Sequence, residues 1–172
     1  MGESEVWSRL EAAFRAGEPV RGTVEQEVGG FLAVDLGGIR AGLPLSYVDF
    51  RAPPDGRALI GRVLELEIVT IDRARGNVIV SRRALLEKRR ARRLASLREG
   101  DVVEATVTGL DDIGAMVDLG DRVTARLHRT ELELVGGKLA DPAQVLREGQ
   151  VLRVRVIALG THVQVSARDV PG

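Results

Sequence analysis

The strongest constraint on this chain is that it repeats itself. Val34-Asp35-Leu36-Gly37 and Val117-Asp118-Leu119-Gly120 lie 83 residues apart, and Gly17-Glu18-Pro19-Val20 keeps that spacing to Gly100-Asp101-Val102-Val103. Leu43-Pro44 faces Leu127-His128 at 84. Gly61-Arg62-Val63-Leu64 faces Gly149-Gln150-Val151-Leu152 at 88, and Val80-Ser81-Arg82 faces Val165-Ser166-Ala167 at 85. The order is kept while the spacing drifts by a few residues, as loop-length changes between equivalent strands produce. A period this long in 172 residues predicts two copies of one small domain.

Each copy reads as five short strands. In the first, Val20, Gly22 and Val24 share one face, as do Leu32, Val34 and Leu36, then Ile39, Ala41 and Leu43. Val63–Val69 and Val78–Val80 supply the fourth and fifth. Apolar residues at every second position mark half-buried antiparallel strands. Gly37-Gly38 and Arg75-Gly76-Asn77 predict tight turns, and Arg51-Ala52-Pro53-Pro54-Asp55-Gly56 a longer loop. The second copy repeats the plan with Val103, Ala105 and Val107, Ala115, Val117 and Leu119, then Val123, Ala125 and Leu127. Val151–Leu159 and Val163–Val165 complete it. Its third-to-fourth connection is longer and its last turn, at Gly160-Thr161, tighter. Five strands leave two exposed sheet edges unless the sheet closes into a barrel.

The predicted fold is therefore all-β with short helices: two tandem five-stranded antiparallel barrels joined by a basic α-helix. Residues 1–17 form a helix packing on the first barrel, which spans 18–81. The linker helix spans 82–98, and a second, divergent barrel 99–170. Ser4 is placed to cap the first helix, whose stripe of Trp7, Leu10 and Phe14 ends at Gly17. Leu86, Leu94 and Leu97 are the apolar residues expected to seat the linker helix.

Charge must be partitioned to mean anything. The chain balances 25 Lys+Arg against 25 Asp+Glu. Residues 1–81 are net −3, residues 82–98 net +7, and residues 99–172 net −4. An intensely basic helix between two mildly acidic barrels predicts local attraction for phosphate, to which guanidinium forks are suited. The chain lacks cysteine and has only 2 His, which excludes thiol chemistry and histidine-clustered metal sites. No nucleophile accompanies His128 at a catalytic spacing, and Asp35 and Asp118 offer one carboxylate per barrel. Neither an enzyme nor a metal or cofactor is expected. No apolar run reaches the length of a membrane helix, and the N-terminus lacks secretory character, so a cytoplasmic setting is expected.

The residues also carry a resemblance. Gly-x-x-Val near the first strand, Val-Asp-Leu-Gly on the second and Val80-Ser81-Arg82-Arg83 on the fifth resemble the S1 RNA-binding domain. That domain is a variant of the oligonucleotide-binding barrel, named for a bacterial ribosomal protein. Trp7–Phe14, Gly30-Phe31, Val34–Pro44 and Val80–Glu87 are similar to that protein's second repeat, and the unit after the basic helix to its third. The run Gly30–Val34 reads as one residue longer than the family's.

The resemblance implies single-stranded RNA lying on one barrel face. Bases would stack on second-strand aromatics, beside a third-strand His and fifth-strand cations. This sequence departs from the pattern. Ile113 and Met116 stand where aromatics are usual, Pro44 replaces the first His, and His162 lies in a turn without an assigned role. The candidates for RNA contact are Phe31, Arg40, Tyr47, Arg82, Arg83, Lys88, Arg89, Arg92, Arg93, Met116, Arg126, His128 and Arg168. The implied partners are mRNA and the 30S subunit or another protein of the RNA machinery, in translation, with neither membrane nor small-molecule substrate. The alternative is a protein-docking module with weakened RNA binding.

Overall fold

The computed structural model describes residues 2–132, 134–135, 138–139, 142–168 and 170. Its contacts divide the chain into two units, 1–88 and 89–172. The first opens with α1 (Glu3–Ala16), followed by β1 (Val20–Val28), β2 (Phe31–Asp35), β3 (Arg40–Pro44), β4 (Val63–Asp72) and β5 (Asn77–Ser81). The helix α2 (Arg82–Ser96) carries residues of both units. The second unit holds β6 (Val102–Asp111), β7 (Gly114–Asp118) and β8 (Thr124–His128). A small ribbon of β9 (Leu134–Val135) and β10 (Lys138–Leu139) follows, then α3 (Pro142–Val145), β11 (Val151–Leu159) and β12 (Val163–Ser166).

Both sheets close into five-stranded barrels, in the orders β1-β2-β3-β5-β4 and β6-β7-β8-β12-β11. They are not wholly antiparallel, as the sequence had led us to expect. β3 pairs with β5, and β8 with β12, in parallel. The reason is topological: a closed ring with an odd number of strands cannot alternate direction all the way round, so one pair must run the same way.

The copies agree in detail. β1 and β6 carry a bulge at equivalent places, between Val24 and Gln26 and between Val107 and Gly109. β4 and β11 do so between Ile68 and Thr70 and between Val156 and Ala158. A bulge bends its strand and sharpens the twist, which lets β1 pair with β4 along one stretch and with β2 along the next. The drifting spacing is now located. The β2–β3 turn gains one residue in the second copy, between Leu119 and Val123, against Leu36 and Ile39. The β4–β5 hairpin has six residues between Ile71 and Val78, and its counterpart three between Leu159 and Val163.

Each unit has its own core. Leu32, Val34, Leu43, Leu66 and Val80 anchor the first, and Ala115, Val117, Leu127, Val154 and Val165 the second, all fully buried. α1 adds Val6, Trp7 and Leu10 to the first core. Phe14, expected to complete that stripe, is 43% exposed, with Val6 buried instead. Gly2 rather than Ser4 precedes the helix, and the Arg73 guanidinium donates to Ser4 Oγ at 2.7 Å. The buried Ser81 caps α2 by accepting from the Ala84 amide at 2.9 Å. Along α2, Leu85 is buried where Leu86 was expected to be. Leu97 joins the second core, and Leu94 is exposed.

Candidate nucleic-acid interface

Alternation along a strand sends successive side chains to opposite faces of a sheet. In the second unit Ala115, Val117, Ala125 and Leu127 point inward and are buried. Their neighbours Met116, Arg126 and His128 therefore share the outer face. Register places Met116 opposite Arg126, Arg126 opposite Gln164, and Gly114 opposite His128. The fold thus gathers three of the sequence candidates and adds Gln164, whose amide gives no signal in a sequence. Gly114 is required where it stands: a Cβ there would fall onto the Leu127 carbonyl.

Two of these side chains are oriented by neighbours. Arg126 Nη2 donates to both carboxylate oxygens of Asp111, at 2.8 and 3.0 Å. Asp111 Oδ1 also accepts the amides of Ile113 and Gly114, each at 2.9 Å, tying the β6–β7 turn to β8. The Arg126 hydrogen bond holds the Asp111 carboxyl below the ordinary aspartate range, helped by those two amides and opposed by desolvation. A depressed carboxylate contributes stability above its unfolded-state pKa and loses it as pH falls through the folded-state value. We expect carbonyl NMR to show Asp111 titrating below free aspartate, and Arg126→Gln to raise that midpoint. Unchanged titration in the variant would remove Arg126 as the cause. His128 Nδ1 accepts the Thr130 amide at 3.2 Å and lies 2.8 Å from Thr130 Oγ1. The neutral ring then carries its proton on Nε2. Arg168 is exposed beyond β12.

In the first unit the equivalent positions carry different residues. Ala33, Gly42 and Ile79 align where the second unit has Met116, Arg126 and Gln164. Phe31, opposite Pro44, takes the place of Gly114. The β1–β2 and β6–β7 hairpins have the same length and register, so Gly30–Val34 carries no insertion relative to its own second copy. Gly29 and Gly30, at φ 56° and 83°, make the two-residue turn that matches strand twist. Phe31 follows them, outward and 47% exposed. Arg40 pairs with Glu25 at 3.4 Å. Tyr47, in a 3₁₀ turn after β3, is 38% exposed.

The basic helix is more committed than its sequence implies. Within the first unit, Arg82 Nη1 donates to Asp49 Oδ2 at 2.9 Å and the Val48 carbonyl at 3.2 Å, and Lys88 pairs with Glu67. Arg83 is bound to Glu87 one turn on, at 2.9 Å. In the second unit, Arg93 Nε donates to the Leu119 carbonyl at 2.8 Å. Arg9 of α1 makes the matching bond to Leu36 at 2.8 Å. The same latch, helix arginine to the Val-Asp-Leu-Gly turn, thus recurs in both copies. Arg89 is half-buried and has partners of its own, while Arg92 is exposed. Among the described residues no group of three His, Asp or Glu is placed to hold a metal, and no helix is long and apolar enough to cross a membrane.

The model of the S1 RNA binding domain matches residues 13–83 and again residues 96–161. The chain belongs to the S1 RNA-binding domain family. The first match covers all five strands of the first barrel, and the second runs from the end of α2 to β11, ending before β12. The chain is 40% identical over 164 residues to small ribosomal subunit protein bS1 of Rhizobium meliloti, covering 92% of this chain and 28% of that one. Against the bS1 of Pseudomonas aeruginosa it is 40% identical over 158 residues, covering 90% and 28%. The chain therefore spans just over a quarter of these S1-type relatives' length. Among solved structures it is similar to GSP13 from Bacillus subtilis, at 26% identity and a TM-score of 0.39, covering 45% of this chain and 62% of that one.

Proposed function

We propose that this chain is a non-catalytic, single-stranded RNA-binding protein that acts in translation, meeting mRNA on its barrel faces and working with the small ribosomal subunit. The observation that carries the reading is the shared outer face of β7, β8 and β12. There a thioether, a guanidinium and an imidazole stand in register on a family fold that binds RNA. The relatives are small ribosomal subunit proteins, and the setting is carried over from them. Phe31 is the stacking surface of the first unit. Every base has a π-face, so stacking on it is sequence-tolerant and contributes about 1–3 kcal/mol per base.

The basic helix enters this reading in a reduced role. Arg82, Arg83, Lys88 and Arg93 hold internal partners, and a phosphate must compete with those before it gains one of them. Arg89 and Arg92 remain on the list of contacts. Arg168 supplies a barrel-borne cation, and Arg126 and Arg40 supply two more for which a phosphate must likewise compete, with Asp111 and Glu25.

One observation favours docking to a protein instead: Ile113 is 54% exposed at the β6–β7 turn, an aliphatic in a place the family gives to aromatics. Fluorescence anisotropy of the intact chain with an unstructured RNA oligonucleotide tests the main reading. Phe31→Ala is expected to weaken binding by about fivefold or more, the low end of one stacked base. A ribonuclease-resistant ribosomal protein partner, with no RNA binding, would transfer the function to docking.

A further inference from the structure

The second unit places a sulfur atom where the S1 pattern has an aromatic ring. The chain has no cysteine and two methionines, Met1 and Met116. Among the described residues Met116 is the one that carries sulfur, and it stands on the outer face of β7. In the first unit the equivalent residue is Ala33, so the second copy alone has an oxidisable group at this position.

The neighbours of Met116 leave its thioether accessible. On β6 the residue opposite it is Gly109, at the bulge, which brings no side chain; a Cβ built there would meet no atom within 4 Å. On β8 the residue opposite is Arg126. Met116 is half-buried and borders a groove of about 570 Å³. A water molecule takes up about 30 Å³ of liquid volume, so a groove of this size admits an oxidant as small as hydrogen peroxide.

We propose that Met116 is a site of reversible oxidation by peroxide, and that its oxidation lowers the affinity of the second barrel for RNA; the proposal rests on the RNA-binding reading above. A sulfur lone pair attacks one oxygen of hydrogen peroxide, the O–O bond breaks and an S–O bond forms. Sulfur loses two electrons, and the departing hydroxide takes the remaining hydroxyl proton and leaves as water. The product changes the face in two ways. A thioether is an apolar, polarisable surface for a base to pack on, whereas a sulfoxide is polar. The sulfoxide oxygen is also a hydrogen-bond acceptor opposite the Arg126 guanidinium. Directly opposed residues have Cβ atoms about 4.5–5.5 Å apart, and a guanidinium has five N–H donors. Arg126 already pairs with Asp111. The sulfoxide gives it a second internal acceptor, with which an RNA phosphate must also compete. Reversal falls to a methionine sulfoxide reductase, which removes the oxygen as water while two thiols become a disulfide. This chain has no cysteine, so those thiols belong to the reductase system.

The test treats the intact chain with hydrogen peroxide, locates the added oxygen by peptide mass spectrometry and reads affinity by anisotropy with an unstructured RNA oligonucleotide. Met116 is expected to gain one oxygen in the folded protein. The oxidised chain should bind about threefold or more weakly, the scale of one sulfur–aromatic contact. Methionine sulfoxide reductase with a dithiol should restore the affinity. Met116→Leu, a volume-conserving change, should bind much as the reduced wild type does and lose the response to peroxide. Met116→Gln, polar like the sulfoxide, should bind weakly whether treated or not. A Met116 that stays unoxidised in the folded chain, or is oxidised without loss of affinity, would overturn the proposal and leave the RNA reading standing. An equal peroxide effect on Met116→Leu would place the sensitive residue elsewhere and overturn it too. A reduced chain that fails to bind the oligonucleotide would remove the RNA reading and the switch with it.

Discussion

Replacing Leu127 with alanine is expected to destabilise the second unit by about 2–5 kcal/mol, the cost of a cavity at a fully buried leucine. The first unit should be spared, because its core cluster shares no residue with that of the second. The sequence supplies the means to see this. Trp7 is the one tryptophan of the chain and lies buried in the first core. In denaturant, the tryptophan fluorescence midpoint of Leu127→Ala should match wild type, while far-UV circular dichroism should show an earlier transition. Coincident shifts of both signals would mean that the two cores unfold as one, contrary to this expectation.

Arg126→Glu is expected to lower affinity for unstructured RNA by at least about tenfold. The change removes a cation at the centre of the β7–β8–β12 face and sets a carboxylate against the incoming phosphate. It also breaks the pair with Asp111 and leaves two carboxylates facing each other. Both consequences act against an anionic ligand. Asp111→Asn tests the opposite sense: Arg126 loses its internal competitor, and RNA binding should strengthen. Anisotropy titrations of both variants against wild type check the pair. Equal affinities for all three would place the RNA elsewhere.

Much of the fold was legible because it was written twice. The Val-Asp-Leu-Gly pair fixed the phase of β2 and β7, and period-two apolar residues fixed which face went inward. Val34, Leu43, Val117 and Leu127 are buried as their alternation requires. A parallel pair was already implied by closing five strands into a ring, but alternation could not show it, because it reports a strand's faces and not its partner's direction. Phe14 shares the helical spacing of Trp7 and Leu10, yet it is exposed while Val6 takes a place in the core. Of the candidate site, Met116, Arg126 and His128 come together because β7 and β8 are short and adjacent in sequence. Gln164 escaped notice since β12 reaches that face only through the closing parallel pair. Leu94, expected to seat the linker helix, is instead exposed, since Leu85 and Leu97 are the leucines buried there. The charge run on α2 was read correctly as basic, but its partners are remote in sequence. Asp49 and Glu67 lie 33 and 21 residues away from the cations they engage.

The central claim is that the chain binds RNA through phosphate contact on its barrels. It is tested most directly by measuring affinity for one unstructured oligonucleotide across a salt series. Each neutralised phosphate of a single strand contributes about −0.7 to the slope of log K against log salt concentration. With at least two cations in contact, a slope steeper than about −1.4 is predicted, and Arg126→Glu should make it shallower. A flat salt dependence, or no binding at low salt, would contradict the account.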